Sequence, residues 1–569
     1  MDYIFLKLRG NIELEGDLGI VEKEVNYFCK KNTIISQSNL IEVTSKLDIH
    51  KKQIISNSRK TGAIGYLIEV KNYNVISSII LKSSFIQEIW CKPSLIDKKT
   101  LKKPYVEVLT DTLCCIVPVF ALLETMTYLK SENPSVDQIS AFTRNLAGIE
   151  VSKKITSAIN RCSTSTPHVH GLHKYKAKFF PRLIRTLLLT EAEGKEQVKV
   201  LDPFVGSGTS LIESSFLGFD SIGIDIDKLS CLITESKIKL MKISPLIIEK
   251  EAKEFACEPK KIKPYEFPSW ISKKFERNGI VNEMQGYQAE ISSFVSRTAT
   301  LNGSKDLFQT IISDALNRKF NIRMMGTGVP RFALEIQKKS ISNLIRDNAE
   351  FLLRTSNLIK SISEVYELEL KQPTVINGSA VSTGLEDSSI DIIITSPPYL
   401  PASSGREDYL IGKSISITAL GLLTESEIRN TELTSVGSMK NRETISGNDL
   451  PNSVYNLYEW LKNDELRNIK AEPTLAYYRD IKKSLKESFR VLNKTGKAIY
   501  VIGKESTFYS YKSREVLYKV ECDKIFEEIS LEIGFKIKEK FDVELNKKNK
   551  NARPRSLDKY YESVFILKK

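Results

Sequence analysis

Cysteine, histidine and tryptophan are scarce in this chain, at 8, 4 and 3 of its 569 residues. The eight cysteines (Cys29, Cys91, Cys114, Cys115, Cys162, Cys231, Cys257 and Cys522) are scattered and form no CxxC pair. That spacing argues against a structural zinc site and against a secreted disulfide scaffold. Long apolar runs are missing too. The most apolar stretch, residues 113–123, is too short to cross a bilayer and contains Pro118. The first residues, MDYIFLKLRGNIELEGDLG, carry charge on both sides of their apolar positions and do not read as a signal peptide. Internal repeats, low-complexity tracts, a serine nucleophile elbow and a Walker lysine are also lacking. The expectation is a soluble protein of a reducing, cytoplasmic compartment with no membrane partner.

What is present is an ordinary globular composition, 41% hydrophobic and 27% charged, with a formal net charge of +14. The positive balance fits a polyanionic partner but does not select one. A chain this long exceeds one ordinary core, so several domains or one domain with large insertions are expected. Residues 1–110 alternate short apolar runs with polar turns and read as a separate N-terminal α/β or α+β domain of unassigned role. Residues 111–164 read as a helical connector.

From there the character changes to strand–turn–helix units. VKVLDPF (198–204) reads as a strand, SLIESSFLG (210–218) as an amphipathic helix ending at glycine, and FDSIGIDID (219–227) as the next strand. The rhythm lapses over 246–370, which reads as a basic, mostly helical insertion. It resumes with TVINGSA (374–380), DIIITSPPY (391–399), KAIYVIG (497–503) and SVFIL (563–567). The expected fold is therefore α/β, a doubly wound Rossmann-like sheet formed by 165–245 and 371–569 around that insertion. Residues 400–470 read as irregular and polar.

Two motifs carry chemistry. The first is Asp202-Pro-Phe-Val-Gly206-Ser-Gly208-Thr209, between a strand and a helix, where glycines let a ligand approach the backbone and the helix start offers free N–H groups. A tight turn needs glycine for steric reasons anyway, so this motif alone is weak. Asp225 and Asp227 add an acid pair at the end of the next strand, about 20 residues on, where a carboxylate accepts from ribose hydroxyls. Leu211 replaces the third glycine of the dinucleotide fingerprint, which disfavours NAD and favours S-adenosylmethionine, a cofactor without a pyrophosphate.

The second motif is Thr395-Ser396-Pro397-Pro398-Tyr399. One Pro-Pro pair is expected by chance in a chain of this size, at roughly 5% proline, so its place at the carboxyl end of a strand is what counts. The Ser396 hydroxyl and the Pro397 carbonyl form a pair of acceptors for the two N–H bonds of an amine on a flat heterocycle. Tyr399 supplies a stacking face for a base taken out of its helix. The plainer reading is a rigid turn with a buried tyrosine.

Together, DPFVGSGT and TSPPY resemble the cofactor and catalytic motifs of the DNA amino-methyltransferases, and the Ser-Pro-Pro-Tyr form is similar to their cytosine-N4 branch. His173-Lys-Tyr-Lys-Ala-Lys-Phe-Phe-Pro181 resembles the family's segment ahead of the glycine loop. The likeness covers roughly 165–245 and 370–569. It implies a class I methyltransferase sheet and S-adenosylmethionine as cofactor. By this resemblance Tyr175, Lys178, Phe179, Asp202, Phe204, Gly206, Gly208, Thr209, Asp225, Ile226, Ser379 and Thr395 hold the cofactor, and Ser396, Pro397, Pro398 and Tyr399 are catalytic. Ser379 stands where the family usually has an acid. The implied substrate is double-stranded DNA, with a cognate restriction endonuclease as partner in a restriction–modification pair. Arg323, Arg331 and Arg406 are candidates for phosphate contact, against the plainer reading of solvated surface charges.

Alternatives stay open: an adenine-N6 DNA methyltransferase, or an RNA base amino-methyltransferase (of tRNA, for example) whose N-terminal domain binds RNA. Carbon-5 methylation of cytosine is disfavoured, because no cysteine adjoins a proline. His168, His170 and His173 cluster in sequence, but no partner ligands are visible and the enzyme class needs no metal, so no metal is expected.

Overall fold

The computed structural model describes residues 2–9, 15–55, 62–70, 73–131, 134–150, 152–161, 167–175, 179–325, 331–400, 410–441, 449–510, 513, 515–545 and 560–569. The apolar runs near the N-terminus form a sheet of their own. Its strands are β1 (Asp2–Leu8), β2 (Asn32–Ile35), β3 (Gly65–Val70), β4 (Ile86–Cys91), β5 (Val106–Thr110) and β6 (Leu113–Ile116), in the order β2-β3-β1-β4-β6-β5. Every pairing is antiparallel. Helices Glu15–Phe28 and Tyr73–Lys82 follow β1 and β3, so the first four strands make a ferredoxin-like split β-α-β unit with a hairpin added at the β4 edge. Of the two classes expected for this region, the antiparallel pairing makes it α+β.

Alternation along β1 explains why both faces of this sheet are dry. Ile4, Leu6 and Leu8 join the large core shared with the rest of the chain. Phe5 turns the other way, into a smaller core with Trp90 and Cys115. The stretch after residue 110, read as helical, begins instead with β6, because Leu113–Ile116 completes the ladders of β4 and β5. Helices Val119–Tyr128, Val136–Leu146 and Lys153–Arg161 follow.

The second sheet is the doubly wound one. It comprises β7 (Lys199–Asp202) and β8 (Asp220–Asp225), separated in the chain from the rest by a hairpin, β9 (Phe320–Met325) and β10 (Arg331–Ile336). It continues with β11 (Thr374–Asn377), β12 (Ile390–Thr395) and β13 (Leu492–Gly503). A small pair, β14 (Ser506–Tyr509) and β15 (Val516–Val520), precedes the last strands, β16 (Lys536–Leu545) and β17 (Tyr560–Lys568). The order is β11-β8-β7-β12-β13-β17-β16. Pairing is parallel from β11 to β13, and β17 runs antiparallel to both its neighbours. This is the doubly wound α/β sheet expected from the sequence, with its last strand inserted in reverse before the edge.

Period-two alternation separates the two faces of the sheet. Val200, Ile392, Ile499 and Val564 enter the large core with helices Pro181–Glu191 and Thr209–Phe216. Leu201, Ile393, Tyr500 and Phe565 enter a second core under helices Asn452–Lys462, Ala471–Val491 and Cys522–Ile533. The strand order reverses between β7 and β12, and ligands of such sheets sit outside the carboxyl ends at that point.

The insertion is not wholly helical. Its helices Lys305–Lys319 and Ile341–Tyr366 flank the β9–β10 hairpin, because FNIRMM and RFALEI pair residue for residue. Nor is the stretch 400–470 irregular where it is described. Its described part holds helices Ser414–Ala419, Glu425–Thr434 and Asn452–Lys462. The first spans only six residues, and the other two carry Ser, Thr or Asn along their length, which masks helical periodicity.

Candidate active site

Asp202 ends β7 and is buried at 3% exposure. Its carboxylate accepts from Phe204 N at 3.0 Å and from the hydroxyl of Ser210, which lies in the first turn of the following helix. It also accepts from Thr395 Oγ1 at 2.6 Å, at the end of β12. One side chain thus fixes the glycine turn, the helix start and the strand that delivers Ser396. Burial pushes its pKa up to about 6, against the pull of these donors.

The glycine turn is left-handed at Gly206 (φ +51°) and Gly208 (φ +79°). A Cβ on Gly208 would stand 2.6 Å from Thr234 Cγ2, so the close approach admits glycine alone. Helix Lys228–Leu240 grips the turn from behind: Thr234 Oγ1 donates to Gly206 O at 3.1 Å and Lys237 Nζ to Ser207 O at 2.6 Å. Gly206 N donates to Asp225 Oδ2 at 2.8 Å. Thr209 opens its helix, buried beside these groups.

Asp225 and Asp227 stand together at the end of β8, where Asp227 N donates to Asp225 Oδ1 at 2.9 Å. Asp227 caps the next helix through Leu229 N and accepts from Ser230 Oγ at 2.7 Å. The two carboxylates diverge. Desolvation and its neighbour push Asp225 up to about 6, whereas Lys413 pulls Asp227 below the ordinary range against its own burial. Asn377 steadies the turn, donating to the carbonyls of Asp225 and Ile226 at 2.9 and 3.0 Å. Ser379 follows close by, half-buried.

Tyr175 lies over the glycine turn. A Cβ added to Gly206 would come 3.5 Å from its hydroxyl, and that hydroxyl shares a hydrogen bond of 2.9 Å with Ser230. The segment is anchored by helix Lys305–Lys319: His173 Nε2 meets Ser313 Oγ at 3.0 Å, and Lys174 N donates to Asp314 Oδ1 at 2.6 Å. Phe179 is half-buried against the large core. Lys178 lies outside the described residues.

At the second motif, Tyr399 donates its hydroxyl to Glu562 Oε1 at 2.6 Å, and Ser396 Oγ points to the tyrosine oxygen at 3.4 Å. Tyr477 donates to the Pro398 carbonyl at 3.0 Å, one residue past the Pro397 carbonyl. A cavity of about 120 Å³ opens here between Pro397, Tyr399, Tyr477, Tyr478 and Glu505. A larger one, about 630 Å³, lies beside Glu235, Lys239 and Lys242, near the far end of helix Lys228–Leu240, and touches none of the motif residues.

The expected site residues therefore fall into two clusters joined by Asp202 and Thr395. The side chains of the three arginines lie outside the described residues. Arg323 and Arg331 sit on the β9–β10 hairpin, their side chains outside the description, and Arg406 lies outside the described residues altogether. Sequence reasoning missed Thr234, Lys237, Asn377, Lys413 and Glu562. Helical spacing from Asp227 offers a signal for the first two; Lys413 and Glu562 come from far along the chain and carry none.

The histidine cluster gains a partner from the fold. His170 Nε2 meets Glu213 Oε1 at 2.7 Å, and one donor atom each from His168, His170 and Glu213 lies within 4.8 Å of the others. Arg185 also pairs with Glu213, and both side chains are fully buried. That guanidinium already supplies the positive charge this carboxylate needs. Burial holds His168 well below the ordinary imidazole range, so it stays neutral.

No family model matches the chain. A 96-residue stretch is 38% identical to the Type II methyltransferase M.MjaII of Methanocaldococcus jannaschii, covering 16% of this chain and 18% of that protein. Over 388 residues it is 26% identical to M.MvaI of Kocuria varians, covering 62% of this chain and 81% of the relative. Over 324 residues it is 26% identical to M.BsoBI of Geobacillus stearothermophilus, covering 52% and 58%. The chain is similar in sequence to Type II methyltransferases. The match thus spans less than two thirds of the first and third relatives. A SAM-dependent methyltransferase from Methanosarcina mazei aligns at 11% identity with a TM-score of 0.24, over 66% of this chain and 93% of that one. No described helix is long and apolar enough to cross a membrane.

Proposed function

We propose that the chain is an S-adenosylmethionine-dependent DNA methyltransferase that methylates the exocyclic amine of a flipped base, cytosine N4 in first place. The observation that carries this is the bond from Thr395 to Asp202, which locks the glycine turn and the Ser-Pro-Pro-Tyr motif together at the switch point of the sheet. The relatives named Type II methyltransferases support the methyltransferase part of this reading.

The cleft fits the cofactor on its own chemistry. The left-handed glycine turn lies at the switch point of the sheet, the Asp225 carboxylate stands beside it as an acceptor for a ribose hydroxyl, and Tyr175 roofs the turn. When bound there, S-adenosylmethionine supplies an electrophilic methyl on a sulfonium. Tyr175, Phe179, the glycine turn, Asp225, Ile226 and Ser379 hold it.

The chain's part in the chemistry is positioning and polarisation. Ser396 Oγ and the Pro397 carbonyl accept the two N–H bonds of the target amine, which draws the nitrogen toward a pyramidal form and turns its lone pair to the methyl. Tyr477 directs its hydroxyl to Pro398 instead, which is consistent with the Pro397 carbonyl serving the substrate. Tyr399, braced by Glu562, presents a fixed face for stacking. The 120 Å³ cavity beside it takes the extruded base. Arg323 and Arg331 place the basic hairpin on the phosphate backbone, and a cognate restriction endonuclease is the expected partner.

Incubation with labelled cofactor and either duplex DNA or total tRNA, followed by mass spectrometry of the nucleosides, tests the reading. N4-methylcytosine in DNA is the expected product. N6-methyladenine would replace the target base, and label in tRNA alone would overturn the DNA assignment.

A further inference from the structure

Lys413 ends the short helical turn Ile411–Lys413 and reaches the acid pair from a segment that follows the catalytic motif in sequence. Its ammonium donates to Asp227 Oδ2 at 2.8 Å, to Tyr175 Oη at 3.2 Å and to Ser230 Oγ at 3.5 Å. It also lies 4.4 Å from the centroid of the Tyr175 ring. Its side chain is only 18% exposed. The turn is held from outside the cleft. Helix Ser414–Ala419 binds the insertion helix through Ser416 Oγ, which donates to Ser313 O at 3.2 Å and to Asn317 Oδ1 at 3.0 Å. The same insertion helix anchors His173 and Lys174.

We infer that Lys413 is a positioning residue of the cofactor cleft, fixing Asp227 and Tyr175 so that Asp225 is left to bind the cofactor's ribose. The inference rests on the reading of the cleft as an S-adenosylmethionine site. Two carboxylates this close cannot both stay ionised in a buried place without a countercharge. Lys413 supplies one, and the three groups then carry a net charge of −1, which suits a sulfonium ligand. The Asp227 carboxylate, already committed to Leu229 N, Ser230 and Lys413, has little capacity left for a ligand. Asp225 keeps its place beside the glycine turn. The groups that face this pair are Tyr175 from the upstream segment, Ser230 and Cys231 from helix Lys228–Leu240, Asn377 from β11 and Lys413 itself.

Calorimetric titration of the full chain with S-adenosylmethionine and with S-adenosylhomocysteine tests this. Lys413→Met should weaken both on the order of tenfold or more, as expected when one partner of a buried, hydrogen-bonded charge pair is removed. It should also raise the pH below which binding weakens, because the carboxylates then take up a proton earlier. Lys413→Arg should restore most of the affinity, and Lys413→Met combined with Asp227→Asn should lose no more than the single change. Wild-type affinity and an unmoved pH profile in folded Lys413→Met would overturn the role. So would a double variant that folds and loses more affinity than Lys413→Met alone; where that single variant does not fold, a folded Lys413→Gln chain with wild-type affinity and an unmoved pH profile overturns the role instead. A wild-type chain that binds neither compound would overturn the reading of the cleft itself.

Discussion

Thr395 and Asp202 end neighbouring strands, β12 and β7, and Thr395 Oγ1 donates to Asp202 Oδ1 at 2.6 Å with both side chains buried. The bond joins the two motifs on which the proposed chemistry depends. Thr395→Val keeps the shape and deletes the donor to a buried carboxyl. Unfolding stability should fall by about 1–3 kcal/mol, read by urea denaturation. Turnover should fall more than cofactor affinity, because Ser396 is the next residue in the chain.

Ser396→Ala should abolish transfer while cofactor binding stays near wild type. Among the described residues its hydroxyl makes one long contact, 3.4 Å to Tyr399, so the fold has little to lose. Tyr399→Phe is the control. It keeps the stacking face but drops the bond to Glu562, and a partial loss of rate is expected. Unchanged turnover in Ser396→Ala would remove Ser396 from the centre.

How much of this was legible follows from where each signal lives in the sequence. The strands β7, β8, β12 and β13 announce themselves because each is a short apolar run ending in a turn or a motif. Asp202, Gly206, Gly208, Asp225 and Ser396 lie in local patterns whose spacing is read along the chain. The hairpin β9–β10 was hidden inside basic helical sequence, since its pairing is a relation between two strands and not a period within one. Lys413, Glu562 and the link from Glu213 to His170 depend on tertiary folding over long sequence distances, which no local pattern encodes.

Gly208→Ala should cripple cofactor binding. Alanine there is strained at φ +79° and would press its Cβ onto Thr234. A destabilisation of roughly 1–3 kcal/mol is expected from the backbone conformation alone. The companion change Thr234→Ala removes the clash and should recover part of the affinity by titration, whereas the strain in the backbone remains.

Arg185 and Glu213 are fully buried and paired, with His170 on the second carboxylate oxygen. Arg185→Met leaves a carboxylate in the core without its countercharge. Unfolding free energy should drop by about 3–5 kcal/mol, measured by chemical denaturation. A loss well below this would mean that Glu213 takes up a proton when the arginine is gone, in which case the deficit should grow as pH rises.

Cofactor affinity and stability should respond to acid in opposite senses at Asp225. Burial and Asp227 push its pKa up to about 6 from an unfolded value near 3.8. A raised folded pKa gives a stability contribution that is complete below the unfolded value and lost as pH rises through about 6. Relative to Asp225→Asn, the wild-type chain should therefore become less stable between about pH 4 and pH 7. Binding runs the other way, because ribose hydroxyls and Gly206 N both need the ionised carboxylate as acceptor. Affinity for S-adenosylmethionine should weaken as pH falls through about 6, approaching tenfold per unit below it, and this dependence should vanish in Asp225→Asn. Titration calorimetry across that interval, beside denaturation curves for both proteins, separates the two effects. A flat binding profile in the wild-type chain would move the ribose contact to another residue.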